Sequence, residues 1–193
     1  MIQQDPAGRR EEAQLVSRTQ SGDEGAFEVL YALHMPPIYR YAVRMTGSAS
    51  DADDVVQETF LTLIRGARGF DAARGELRSY LYGVARRMVL QRLPQEAPAE
   101  IEDNELGVFD DPLIGIEREQ RVQLVRSAVA GLPAAYREAV ALCDLEELPY
   151  ESAAAVMGCA VGTVRSRVHR ARTLLLERLE RSGCGTAETR KRV

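Results

Sequence analysis

The chain has 193 residues, 45% of them apolar and 28% charged, the balance of one or two compact domains and not of a disordered or fibrous polymer. No stretch approaches the roughly 18 uninterrupted apolar residues of a transmembrane helix, and residues 1–10 lack the apolar core of a secretory signal, so no membrane insertion and a cytoplasmic location are expected. The formal charge of −4, from 25 basic and 29 acidic side chains, argues against a uniformly cationic nucleic-acid binder, but that mean conceals a strong segregation along the chain.

Apolar residues recur at helical spacing almost throughout, and no β-branched run alternates with period two, which predicts an all-α protein. Helices are expected near 11–20, 23–33, 36–46, 49–67 and 76–93. Asp23 suits the cap of the second, with Ala26 and Phe27 entering its apolar face; Pro36 and Pro37 suit a first turn of the third, and Gly47 its stop; Ser50 and Asp51 mark the start of the fourth. From Arg65 to Arg92 seven arginines stand against two acids, Asp71 and Glu76. The sign then reverses. Between Pro94 and Glu117 there are eight acids and no Lys or Arg, with prolines at 94, 98 and 112, which reads as an extended acidic linker.

Helices are expected again near 116–130, 133–143, 150–157 and 161–181, with a frayed tail over 182–193. Only about three residues, Gly158 to Ala160, separate the last two helices, and so tight a turn makes them cross steeply, as in a helix-turn-helix. Ala154 is small where the second helix must approach, Gly158 permits a positive dihedral, and Val164 packs back. On the last helix Val161, Val164, Val168, Ala171 and Leu175 make one apolar stripe. Thr163, Ser166, His169 and Arg170 then point away, with Arg165, Arg167 and Arg172 on the flanks. Arg can bond guanine bidentately and small hydroxyls can reach phosphates, so this face suits a major groove, with Gly162 and Thr163 offering backbone donors to a phosphate.

Cys143, Cys159 and Cys184 form no C-x-x-C pair and have no His at metal-ligand spacing, so reduced thiols are expected, with neither disulfide nor metal. The close spacing of Asp51, Asp53 and Asp54 raises the idea of a metal site, but acids at a helix start already find favourable backbone donors, and no His or further acid completes a site.

LPAAYREAV at 132–140 and LPYESAAAVMGCAVGTVRSRVHRARTLL at 148–175 closely resemble the promoter-recognition domain of bacterial sigma factors of the extracytoplasmic-function group. ASDADDVVQETFLTLIRG at 49–66 and FDAARGELRSYLYGVARRMVLQRL at 70–93 resemble that group's other conserved domain. Both matches occur in family order and cover most of residues 20–180. The resemblance implies two small helical domains joined by the acidic linker: sigma domain 2 at 10–93, the linker at 94–116, and sigma domain 4, the helix-turn-helix, at 117–181.

By the same resemblance Asp54, Gln57 and Glu58 match the patch that binds the β′ coiled coil of core RNA polymerase, whose β and β′ subunits are the implied partners. Residues 69–78 match the loop that captures a flipped minus-ten base, and 80–92 the helix along the melted strand. Phe70, Tyr80 and Tyr82 beside Arg74, Arg78, Arg86 and Arg87 supply the aromatic and cationic surfaces that single-strand binding combines. Leu81 is expected in the core. The family often has Trp where this chain has Tyr80 and Asn where it has Arg87, and both departures bear on minus-ten preference. Gly162, Thr163, Arg165, Ser166, Arg167, His169 and Arg170 fall on the minus-thirty-five readers. The acidic linker resembles the segment that threads the polymerase channels.

The implied activity is promoter-specific transcription initiation in a stress or envelope response, without catalysis or cofactor and under an anti-sigma protein that covers both domains. The competing readings are a stand-alone dimeric helix-turn-helix regulator and a metal-dependent nuclease. The first has no use for the linker or the Asp54 patch, and the second lacks a complete site.

Overall fold

The computed structural model describes residues 6–66, 69–73, 75–93 and 115–181. Arg74, Cys184, the tail and nearly all of the expected acidic linker lie outside the described residues. Among the described residues the regular structure is entirely helical: α1 (Pro6–Gln20), α2 (Glu24–Thr46), α3 (Ala49–Ile64), α4 (Leu77–Arg92), α5 (Gly115–Ala130), α6 (Ala134–Val140), a π-helical turn (Ala141–Leu145), α7 (Tyr150–Met157) and α8 (Val161–Arg181).

One expected break is absent. Sequence predicts separate helices over 23–33 and 36–46, yet α2 runs unbroken through Pro36 and Pro37. Proline removes the amide donor and crowds the preceding turn. What overrides this is a single buried stripe of Leu30, His34, Ile38, Tyr41, Ala42 and Met45, whose spacing continues across the prolines and holds both halves against one core. Leu33 is 58% exposed, so that side of α2 faces solvent. Asp23 caps α2 as expected, accepting from the Ala26 amide at 3.0 Å. Gly47 ends it at φ 74° with its amide on the Val43 carbonyl.

Helix α3 is capped two residues earlier than Ser50 suggests. Ser48 is the cap, its hydroxyl accepting from the Asp51 amide at 3.2 Å, because its extended backbone leaves the side chain facing the open end of the helix. Gln20 of α1 donates to the Leu63 carbonyl at 3.1 Å and satisfies the other end of α3. Helices α1 to α4 pack around Leu30, Ile38, Tyr41, Val55, Leu63 and Leu81, each at most 1% exposed. Burying an aliphatic side chain this fully stabilises the fold by roughly 1.5–3 kcal/mol.

Helices α5 to α8 form the second unit. The expected helix over 133–143 stops being α-helical at Val140 and widens into the π-helical turn, where Asp144 faces α8. Gly158 ends α7 in the left-handed region, φ 64°, with its amide on the Ala154 carbonyl. Cys159 donates to the same carbonyl at 3.1 Å, and Ala160 accepts the first amides of α8. The turn is therefore complete within three residues. Val164, Val168 and Ala171 are buried against α6 and α7, as the stripe predicts.

The two units are not held apart. A continuous apolar cluster runs from Tyr41, Leu77, Leu81 and Tyr82 of the first unit to Leu142, Leu148, Ala153 and Met157 of the second, and α4 packs directly on α7.

Candidate nucleic-acid interface

Burial of one stripe decides what α8 shows to solvent. Arg165, Ser166, His169 and Arg170 are exposed, Gly162 is exposed at the helix start, and Thr163 and Arg167 are half-buried. Ser166 donates to the Thr163 carbonyl at 2.9 Å. Arg167 sits 4.0 Å from the Cys159 sulfur. Thus the seven residues expected to read duplex DNA lie along one helix, and among the described residues Arg165 and Arg170 make no ion pair, whereas Arg172 does. Arg172 makes a bidentate pair with Asp144 at 3.0 and 2.6 Å. Its hydrogen bond to Asp144 raises the guanidinium pKa further, so Arg172 braces α8 against the π-helical turn.

Phe70 and Tyr80 meet as tilted rings with centroids 5.7 Å apart, both half-buried against the core. Half-burial leaves each with surface for stacking, which bears out neither a pure core role nor a fully open one. Tyr82 is different. It is wholly buried and cannot serve as a stacking surface, because it shares the inward face of α4 with Ala85 and Val89. Leu81 is buried as expected. Arg87 is half-buried.

Arg78 and Arg86 are engaged by two buried acidic residues that sequence reasoning missed. Glu138 of α6 is 4% exposed and Glu146, after the π-helical turn, 2%. Arg86 Nε donates to Glu138 at 2.5 Å, and the Tyr41 hydroxyl reaches the same carboxylate at 3.3 Å. Glu146 accepts from Arg40 at 3.2 and 2.8 Å, from Arg44 and from the Tyr82 hydroxyl at 3.3 Å. Arg78 donates to the Glu146 carbonyl. Burial, then the adjacent carboxylates, push the Tyr41 and Tyr82 phenols above their ordinary pKa, so both remain donors at neutral pH. Hydrogen bonding to Glu146 likewise raises Arg40. Neither acid carried a local signal, since every partner is distant in sequence.

On α3, Asp54 and Gln57 are exposed and Glu58 is half-buried. Asp54 lies 3.8 Å from Arg92. Of these two acids and one amide, Gln57 lines an apolar groove of about 750 Å³ between α2 and α3, together with Phe27, Tyr31, Met35, Phe60 and Ile64. Among the described residues no group of three or more His, Cys, Asp or Glu is placed to hold a metal, and no helix is long and apolar enough to cross a membrane.

Residues 30–97 match the family model for sigma-70 region 2, and residues 123–175 match that for sigma-70 region 4. The chain is 34% identical over 187 residues to the RNA polymerase sigma-H factor of Pseudomonas aeruginosa, covering 89% of this chain and 95% of that protein. It belongs to the sigma-70 family, in the extracytoplasmic-function group. Two further relatives agree with that placement. The ECF RNA polymerase sigma-E factor of Escherichia coli is 36% identical over 173 residues, covering 82% of this chain and 88% of the relative. The ECF RNA polymerase sigma factor SigE of Mycolicibacterium smegmatis is 31% identical over 186 residues, covering 88% and 68%.

Solved structures share the fold of this sigma factor. CnrH, in complex with the cytosolic domain of CnrY, superposes with a TM-score of 0.67 at 24% identity, covering 86% of this chain and 96% of that one. The sigma factor RpoE of Bartonella quintana, in complex with the anti-sigma factor NepR, gives 0.62 at 27% identity, covering 80% and 96%.

Proposed function

We propose that this sigma factor docks on core RNA polymerase through Asp54, Gln57 and Glu58, and that its two helical units engage the two promoter elements. The adjoining groove between α2 and α3 supplies an apolar seat beside those polar side chains, the combination that an amphipathic helix of the polymerase needs. Region 2 uses Phe70, Arg74, Arg78, Tyr80, Arg86 and Arg87 on the melted minus-ten strand. Region 4 uses Gly162, Thr163, Arg165, Ser166, Arg167, His169 and Arg170 on the minus-thirty-five duplex. The protein performs no bond chemistry; it supplies sequence specificity to an enzyme. The observation that carries this reading is the exposed α8 face, cationic and hydroxylic, on a helix-turn-helix within a chain that matches both regions in order.

An overall negative protein has little affinity for free DNA, and many weak phosphate contacts add up only once polymerase holds it at the promoter. Control by an anti-sigma protein is part of the proposal, supported by a similar sigma factor, RpoE of Bartonella quintana, whose solved complex contains the anti-sigma factor NepR. The test is co-elution with bacterial core RNA polymerase on size exclusion, beside a folded Asp54→Ala, Gln57→Ala variant. Wild-type co-elution lost in the variant supports the docking surface. Equal co-elution of both overturns it.

A further inference from the structure

The loop that joins α3 to α4, residues 65–76, carries Phe70 and leads into Arg78 and Tyr80, yet its own hydrogen bonds are local. The Gly69 amide donates to the Gly66 carbonyl at 3.0 Å, and the Ala73 amide to the Asp71 carboxylate at 2.9 Å. Both are turns within the loop, and neither fixes where the loop stands on the helical body. A long connection that presents side chains to a ligand loses affinity to whatever ordering it still has to undergo on binding.

Both ends of this loop are met by α1. At the α3 end, Gln20 donates through Nε2 to the Leu63 carbonyl at 3.1 Å, which also accepts the Gly66 amide at 3.2 Å. That side-chain nitrogen lies 3.7 Å from where a Cβ on Gly66 would stand, beside the residue that turns the chain out of the helix at φ 62°. At the α4 end, Arg9 donates through Nη2 to the Glu76 carboxylate at 2.7 Å. Glu76 is the N-cap residue of α4, but its side chain makes no bond to the helix it starts; the carboxylate is turned to α1 instead. Arg9 and Gln20 lie about three turns and roughly 16 Å apart on α1, close to one stripe. The helix between them is anchored to α2: Val16 and Thr19 are buried, Glu12 lies 3.4 Å from His34, and Arg18 pairs with Asp23 at 2.7 Å.

The Arg9 and Glu76 side chains are 46% and 22% exposed, and contacts this open to water add little to global stability. Their placement at the two feet of one loop points to alignment. We propose that Arg9 and Gln20 are positioning residues that make α1 a brace across the minus-ten loop, so that Phe70 and Tyr80 meet an unstacked base in a fixed arrangement. The brace rests on the reading of residues 69–78 as the base-capturing loop. Neither residue is assigned to DNA; each acts through the loop, lowering the ordering that base capture would otherwise add to the cost of unstacking.

The test uses holoenzyme on a promoter located by transcription mapping, with 2-aminopurine placed in the minus-ten element of the melted strand so that its fluorescence rises as the base leaves the stack. Gln20→Leu, Arg9→Ala, Glu76→Ala, the Arg9→Ala, Glu76→Ala double variant and Arg9→Lys are compared with wild type. Circular dichroism, thermal midpoint, co-elution with core enzyme and binding of a duplex holding only the minus-thirty-five element are expected to be unchanged in all of them. Each single loss should slow the fluorescence rise about threefold to fivefold, the size of an exposed contact. Arg9→Lys should restore the rate, and the double variant should be no slower than either of its members, since one contact is removed twice. Wild-type rates in both Gln20→Leu and Arg9→Ala overturn the brace, as does an additive double variant. A Phe70→Ala, Tyr80→Ala variant separates the two readings: if it keeps the full signal, the base-capturing assignment of the loop is what fails, and the positioning role falls with it.

Discussion

Arg170 and Arg172 stand two residues apart on α8 and should behave differently when removed. Arg170 is exposed and proposed to meet a base edge, so Arg170→Ala should cost about 1–3 kcal/mol at a specific promoter. Equal loss on random DNA would reassign it to a phosphate. Arg172 is paired with Asp144; an exposed pair of this kind contributes about 1 kcal/mol or less. Arg172→Ala and Asp144→Ala should therefore reduce promoter affinity alike, by loosening α8, in the same binding assay. Loss confined to the Arg172 variant would make that side chain a DNA contact. Burial pushes the Cys143 thiol up to about 11, with Asp144 adding to it. Alkylation of Cys143 at pH 8, followed by peptide mass spectrometry, should be slow in the native protein and should accelerate in denaturant; equal rates would contradict a half-buried, protonated thiol. The α8 face was legible because its buried residues repeat with helical period. Tyr82 was legible in principle, three and seven residues before the buried Ala85 and Val89, but its aromatic character drew it toward the strand-binding set.

At the scale of elements, the turn between α7 and α8 depends on Gly158 at φ 64°, where an added Cβ would meet nothing within 4 Å. Gly158→Ala should thus cost only the dihedral penalty, about 1–2 kcal/mol, measured by denaturant unfolding. A cost near zero would show that the turn relaxes, and a much larger one that packing is involved. This turn was readable from the sequence because glycine, a small residue and an apolar residue sit at fixed offsets. The continuity of α2 was not. Pro36 and Pro37 carry a strong local preference to start a helix, and only the tertiary stripe from Leu30 to Met45 overrides it. The π-helical turn after Val140 was equally hidden, since the residues around it suit an α-helix; its wider backbone leaves Asp144 opposite Arg172.

For the whole molecule, the alternation of basic, acidic and basic segments was plain in the composition, and with it the division into two helical units. How the units meet was not. The cations that hold Glu138 and Glu146 lie 52 to 106 residues away, and a single sequence carries no sign of such a pairing. The consequence is a compact molecule whose exposed α8 face and Asp54 patch are available while Arg78 and Arg86 are engaged. The central claim, that this chain gives core RNA polymerase its promoter specificity, is tested most directly by transcription of its host's genomic DNA in vitro with core enzyme, followed by mapping of transcript 5′ ends. Discrete start sites that appear only with the protein, and vanish with Asp54→Ala, Gln57→Ala or Arg165→Ala, Arg170→Ala, are predicted. No new start sites, or start sites indifferent to both variants, would contradict it.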